Sequence, residues 1–263
     1  MTRQLTNLAK RVLPFGLRLK LRDVNRKRMY VQQKAVLPKG VENVYCPVAQ
    51  REFATFLKKG SDLLTPSNGA RGRHRLIWLY LEQRTDLFSR PQRLLHVAPE
   101  VCLMPRLAAV PGLEYVPGDK MVKGYGTQDK VTYLDLLDID YPDGHFDFIL
   151  CNHVLEHIPD DRTAMAEMYR VLKPGGTLLV TVPISESLEQ TYENADVTDA
   201  RQREEHFGQW DHVRYYGMDV ADRLAAAGFE VSMERYGESF GNEEYRRYGL
   251  NQDLLVVCGK GQG

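Results

Sequence analysis

The spacing of apolar side chains divides the chain into three stretches. In residues 1–40, Leu5, Leu8, Val12, Phe15 and Leu19 recur at helical intervals among Lys and Arg, which predicts an amphipathic basic segment. Residues 41–90 open turn-rich, with Pro47, Gly60, Pro66, Gly69 and Gly72. Then Leu76, Ile77, Tyr80 and Leu81 take up helical spacing, predicting a lead-in helix over 73–83. Beyond Pro91, short apolar runs alternate with helical periods. Strands are predicted at 94–98, 114–117, 131–134, 146–151, 177–182, 230–235 and 254–257, and helices at 161–172 and 220–227. In the first helix Ala164, Met165, Met168, Val171 and Leu172 form one stripe, with Asp160 or Asp161 as cap and Pro174-Gly175-Gly176 as stop; Gly228 stops the second. This alternation predicts an α/β fold with a doubly wound sheet over residues 91–263.

Composition narrows the class. With 43% hydrophobic and 27% charged residues the chain reads as a folded globular protein, which rules out disorder and collagen. No apolar run approaches the roughly 18 to 20 residues of a spanning helix, so neither a signal peptide nor a membrane span is predicted. Four dispersed cysteines, Cys46, Cys102, Cys151 and Cys258, suggest reduced thiols and a cytoplasmic location.

The net charge of zero conceals an asymmetry. Residues 1–40 hold eleven Lys and Arg against the single acid Asp23, and the remainder holds 24 basic against 34 acidic residues. The basic head is expected either to touch an anionic membrane peripherally, where each basic side chain contributes about 1 kcal/mol, or to pack one face on the domain as a solvated helix. A role as an RNA tether is disfavoured, because Phe15 and Tyr30 are the head's only aromatic residues and the body is acidic.

In an open α/β sheet, ligands bind beyond the carboxyl ends of the strands. The first strand ends His96-Val97-Ala98-Pro99-Glu100, without the glycines that let a backbone approach a pyrophosphate. Glu100 disfavours a dinucleotide and suits a cationic cofactor. The second strand ends Gly118-Asp119, where an acid can accept from two ribose hydroxyls or serve as a plain turn residue. The third ends Asp135-Leu136, a carboxylate and an apolar side chain that would suit an adenine.

The fourth strand and its sequel carry the most specific pattern. Residues 143–161, including Asn152-His153-Val154-Leu155-Glu156-His157-Ile158-Pro159-Asp160, are followed by Arg170-Val171-Leu172-Lys173-Pro174-Gly175-Gly176. This block resembles the strand-four to strand-five region of class I S-adenosylmethionine-dependent methyltransferases of the type 11 kind, over roughly residues 91–263. The resemblance implies a Rossmann-like sheet with a small N-terminal extension, and S-adenosyl-L-methionine as cofactor. It implies cofactor contacts from His96, Ala98, Pro99 and Glu100 on a degenerate glycine motif, and from Asp119, Asp135, Leu136, Asn152 and His153. Tyr45-Cys46-Pro47-Val48-Ala49, Thr65-Pro66-Ser67-Asn68 and Arg73-His74-Arg75 are similar to relatives carrying two zinc-binding Cys-Pro-x-Cys knuckles and an Arg-His-Arg helix. Here Ala49, Thr65 and Asn68 replace three of four thiols, which argues against zinc.

His153, Glu156 and His157 stand at i, i+3 and i+4, and similar Glu-x-x-Glu-His groupings with a distant histidine hold a divalent metal in small-RNA and quinone O-methyltransferases. His206 or His212 would be that distant residue here. Alternatively Glu156 and His157 brace the loop, and one of the histidines acts as general base. The catalytic candidates are therefore His153, Glu156, His157 and His212. The expected activity is methyl transfer to an acceptor, preferably an oxygen of a small molecule or glycan. Two alternatives stand beside it: a binding module that has lost its cofactor, and an RNA methyltransferase tethered by the basic head.

Overall fold

A computed structural model describes residues 14–38, 40, 41, 43–121 and 131–262. The first thirteen residues of the basic head, with Leu5, Leu8 and Val12, lie outside them. Seven strands form the central sheet: β5 (Gln92–Val97), β6 (Leu113–Asp119), β7 (Thr132–Tyr133), β8 (Phe146–Asn152), β9 (Leu172–Thr181), β12 (Glu230–Glu234) and β13 (Leu255–Gly259), in the order β12-β13-β9-β8-β5-β6-β7. The pairs from β9 to β7 are parallel, and β13 runs antiparallel to both its neighbours. The chain winds outward from β5 to β6 and β7, then returns to place β8 on the other side of β5. That reversal opens a crevice at the carboxyl ends of β5 and β8, the position where such sheets bind ligands.

The strands follow from apolar runs with no alternation, as expected for a parallel sheet covered on both faces. Leu94, Leu95, Phe146, Ile149, Leu150, Cys151, Leu178, Leu179 and Val180 are all buried. One face packs on α4 (Asp161–Val171) and α6 (Val220–Ala226) through Ala164, Met165, Met168, Val171, Val220 and Leu224. Asp160 caps α4 by accepting from Thr163 N. The helix ends before Pro174-Gly175-Gly176, because Leu172 is already extended and pairs with Phe146 in β9. Gly175 turns at φ 75° within that strand.

The other face is covered by α2 (Gly72–Arg84), a short turn of helix α3 (Met104–Leu107) and residues 236–250. The helical period read in the sequence suggested one apolar stripe on α2. Instead Leu76 through Leu81 are all buried, since the sheet lies on one side and the 44–70 region and Tyr236 on the other. That region consists of two hairpins, β1 (Val44–Cys46) with β2 (Arg51–Phe53) and β3 (Leu57–Lys59) with β4 (Asp62–Leu64).

Where paired knuckles would converge on zinc, Cys46 Sγ accepts instead from Thr65 Oγ1 at 3.1 Å and Ala49 N at 3.4 Å. One thiol beside a hydroxyl and a methyl is not a zinc donor set. Arg75, wholly buried, ties the region together. Its guanidinium donates to the carbonyls of Leu63, Ala70, Tyr248 and Gly249 and to Thr65 Oγ1, and lies 4.0 Å from the Phe56 ring centroid. Burial lowers its pKa to about 10, still protonated at neutral pH.

The described part of the head is one helix, α1 (Phe15–Ala35). It packs on the hairpins: Tyr30 Oη accepts from Ala54 N, Gln33 exchanges hydrogen bonds with the Lys58 backbone, and Arg26 donates to Ser67 O. Phe15 and Leu19 fall on this half-buried face, while Leu17, Leu21, Val24 and Val31 form an outward stripe that the sequence reading did not identify. Among the described residues no helix is long and apolar enough to cross a membrane.

Candidate active site

Two non-glycine residues with positive φ mark the crevice: Ala98, just past β5, at 45°, and His153, just past β8, at 52°. Such angles cost a side chain of order 1 kcal/mol and concentrate where function over-determines the backbone. Ala98 N donates to Gly118 O across to β6, and His153 N to Thr181 O across to β9, which fixes both turns. Gly118 is required for close approach: a Cβ there would lie 2.7 Å from the Leu134 side chain.

His96 does not line the crevice. It is fully buried, with Nδ1 2.9 Å from Tyr115 Oη and Nε2 2.7 Å from Glu100 Oε2, so both ring nitrogens are engaged and it positions Glu100. Burial would raise the Glu100 carboxyl, but the His96 hydrogen bond and neighbouring histidine charge outweigh it and bring it to about 2. His74 Nε2 stands 3.8 Å from Glu100 Oε1, yet burial pushes its pKa down to about 3, so it is neutral at pH 7. Pro99 is half-buried between Ala98 and Glu100.

At the end of β6, Asp119 Oδ1 accepts from Met121 N. Asp135 does not offer a free carboxylate. Lys120 Nζ is 2.7 Å from its Oδ2, and Leu137 N donates to its Oδ1. Leu136 is part of the buried core below the crevice and not of its wall, because the turn after β7 folds it inward.

The exit of β8 is unusual in its hydrogen bonding. Native interiors pair nearly every polar atom. Here Asn152 Nδ2, His153 Nε2 and both Glu156 carboxyl oxygens are buried without a hydrogen-bond partner, all within five residues. Asn152 Oδ1 accepts from Thr181 Oγ1, which aims the amide. His153 Nδ1 stands 3.2 Å from Glu156 Oε1, outside hydrogen-bonding geometry. Glu156, His157 and His212 converge, each offering an atom within 4.8 Å of the others, and the two imidazoles meet edge to face at 4.7 Å. His206 is not among them; it sits on α5 (Ala200–Phe207) against Tyr192 Oη. Burial lowers the pKa of His157.

A largely buried ionic cluster holds this loop, with no local signal for it in the sequence. Arg214, on β11 (Arg214–Tyr215), donates to the carbonyls of Leu155, Ile158 and Pro159 and to Glu193 on β10 (Tyr192–Glu193). Arg223 joins Asp161, Glu193 and Asp219, and Tyr216 Oη donates to Asp161.

Residues 102–180 match the family described as a methyltransferase domain. The ubiquinone/menaquinone biosynthesis C-methyltransferase of Psychromonas ingrahamii is 37% identical over 81 residues, covering 29% of this chain and 32% of that protein. Ajmaline N-methyltransferase of Rauvolfia serpentina is 40% identical over 57 residues, covering 21% of this chain and 20% of that protein. Matches to these curated relatives thus span a third of their length or less. An S-adenosylmethionine-dependent methyltransferase structure from Mesorhizobium loti aligns with TM-score 0.47 and 16% identity, over 70% of this chain and 97% of that one.

Proposed function

We propose, because this chain belongs to the class I S-adenosylmethionine-dependent methyltransferase family, that it transfers a methyl group to an oxygen of a small molecule or glycan. The observation that carries the reading is the set of unpaired buried polar atoms at the exit of β8, beside the crevice where the strand order reverses. S-adenosyl-L-methionine, when bound, supplies an electrophilic methyl on a sulfonium. The residues present fit such a ligand: Glu100 and Asp119 are acids suited to its ammonium and ribose, and Asn152 Nδ2 is a donor without a partner. The left-handed turn at Ala98 supplies the backbone path that glycine usually provides, which favours retained binding over a module that has lost its cofactor.

Catalysis rests mainly on proximity, with the acceptor held in line with the donor and water excluded. His153, at the crevice with Nε2 unpaired, is the group placed to take the acceptor's proton. Isothermal calorimetry with S-adenosylmethionine and S-adenosylhomocysteine tests the cofactor, and silence at millimolar ligand defeats the reading. An untargeted labelled-methyl screen identifies the acceptor. His153→Ala and His212→Ala that both keep full turnover would remove the histidine base.

We also propose that α1 meets an anionic membrane surface peripherally. Its outward stripe of Leu17, Leu21, Val24 and Val31 is flanked by exposed Lys20, Lys27, Arg28 and Lys34, the arrangement that suits the interface of an anionic bilayer.

A further inference from the structure

We infer that Arg73 holds the carboxylate of the bound methyl donor, with Glu100 on its ammonium, and thereby selects an intact amino-acid group over a decarboxylated one. The inference rests on the methyl-donor reading above and adds to it the residue that reads the donor's acid end.

In the Arg73-His74-Arg75 motif, Arg75 is the buried cross-link, and His74 is a neutral group between Cys102 and Glu100. Arg73 takes part in neither role. It stands on the first turn of α2, and that turn lies at the carboxyl end of the sheet. A Cβ on Gly72 would meet Gly249 O at 3.0 Å and Asn251 N at 3.1 Å, and residues 249–253 lead into β13, where Val256 pairs with Val180 near the end of β9. On the other side, His74 Nε2 lies 3.3 Å from Arg73 Nε and 3.8 Å from Glu100 Oε1. One imidazole therefore separates the guanidinium from the carboxylate beyond β5.

The charge at Arg73 is unbalanced. The side chain is half-buried, and among the described residues no carboxylate stands within ion-pairing distance of it. Burial and then the charge of Arg71 lower its pKa, against the opposing pull of Glu100, Asp253 and Asp62. A guanidinium drawn partly out of water without an ion pair gains most from a planar anion, which its parallel N–H groups bind at two points. Glu100, one imidazole away, is ionised. A cation and an anion so placed complement an α-amino acid, whose carboxylate and ammonium sit on one carbon. The adenosine end of the donor carries no such pair, so Arg73 contributes to affinity for the amino-acid end alone.

Calorimetry of the full chain compares S-adenosylhomocysteine, its decarboxylated analogue, which keeps the amine, and 5′-methylthioadenosine, which lacks the whole amino-acid end. The parent is expected to bind S-adenosylhomocysteine roughly tenfold or more tightly than the decarboxylated analogue. Arg73→Gln should weaken S-adenosylhomocysteine by about that factor, leave the other two ligands nearly unchanged, and so erase the preference. Arg73→Lys keeps the charge without the fork and should restore part of it. Circular dichroism checks each fold, and Arg73→Met replaces Arg73→Gln if that variant is not folded. No preference in the parent, or a folded Arg73→Gln that keeps the preference or weakens all three ligands alike, overturns the inference and leaves the methyl-donor reading standing. A parent that binds none of the three removes that reading, and the inference with it.

Discussion

Ala98 occupies a turn that glycine would enter freely, and its single methyl is what the φ of 45° tolerates. Ala98→Gly is therefore expected to change stability little, the relief of strain of about 1 kcal/mol being offset by added freedom in the unfolded chain. Ala98→Val should cost more than 2 kcal/mol and abolish cofactor binding, since a β-branched residue strains that conformation; urea unfolding and calorimetry read both. The neighbouring His74 and Glu100 give a pH dependence. Both have folded pKa values below their unfolded ones, about 3 against 6.5 and about 2 against 4.5. In each case the unfolded state binds protons first, so stability is full above pH 6.5 and falls as pH drops, through His74 from 6.5 and through Glu100 from 4.5. Chemical denaturation should show a loss on the order of 2 kcal/mol between pH 7 and 4, much reduced in a folded His74→Gln variant. At this scale the sequence showed which residue types end each strand. It could not show that His96 and Asp135 are spent on neighbours, because Tyr115 and Lys120 reach them only through strand pairing and turn geometry.

The elements most legible in the sequence were those whose apolar pattern one partner decides. The β5 and β8 runs and the α4 stripe were read to within two residues, because one sheet dictates their burial. The β10–β11 pair and the α5 helix between its strands were not predicted, since two-residue strands and a polar eight-residue helix have no period of their own. Nor was the all-round burial of α2, which depends on the two hairpins packed on its far side. Arg75, on α2, is the cross-link here, five hydrogen bonds joining 63–70 to 248–249. Arg75→Met keeps volume but takes the guanidinium donor from the Leu63, Tyr248 and Gly249 carbonyls, while Ala70 O keeps its bond from Thr65 N, so a loss of about 3 to 5 kcal/mol is expected in thermal or urea unfolding. Because α2 lies on the sheet face away from α4, the crevice should survive this change, with cofactor affinity retained in whatever fraction stays folded.

Across the whole molecule, charge and site separate. The body's acids include Glu100 and Asp119 at the crevice, whereas the described basic helix packs on the hairpins, with hydrogen bonds to Ala54, Lys58 and Ser67 and a ring contact to Phe53. Removing α1 outright would uncover Phe53 and the Ala54 amide that Tyr30 satisfies, so truncation mixes folding with surface chemistry. Substituting exposed positions avoids this. Lys20, Lys27, Arg28 and Lys34 all point away from the hairpins, and changing all four to Gln should remove about 1 kcal/mol each of attraction to an anionic bilayer. Sedimentation with vesicles containing phosphatidylserine should then show binding by the parent and a loss of a hundredfold or more in the variant, strongest at low salt. Leu21→Gln with Val24→Gln should weaken binding without altering its salt dependence, because these side chains contribute burial and not charge. Calorimetry with S-adenosylhomocysteine on the same proteins should give unchanged affinity. Equal vesicle binding by parent and charge variant would leave α1 as packing for the hairpins alone.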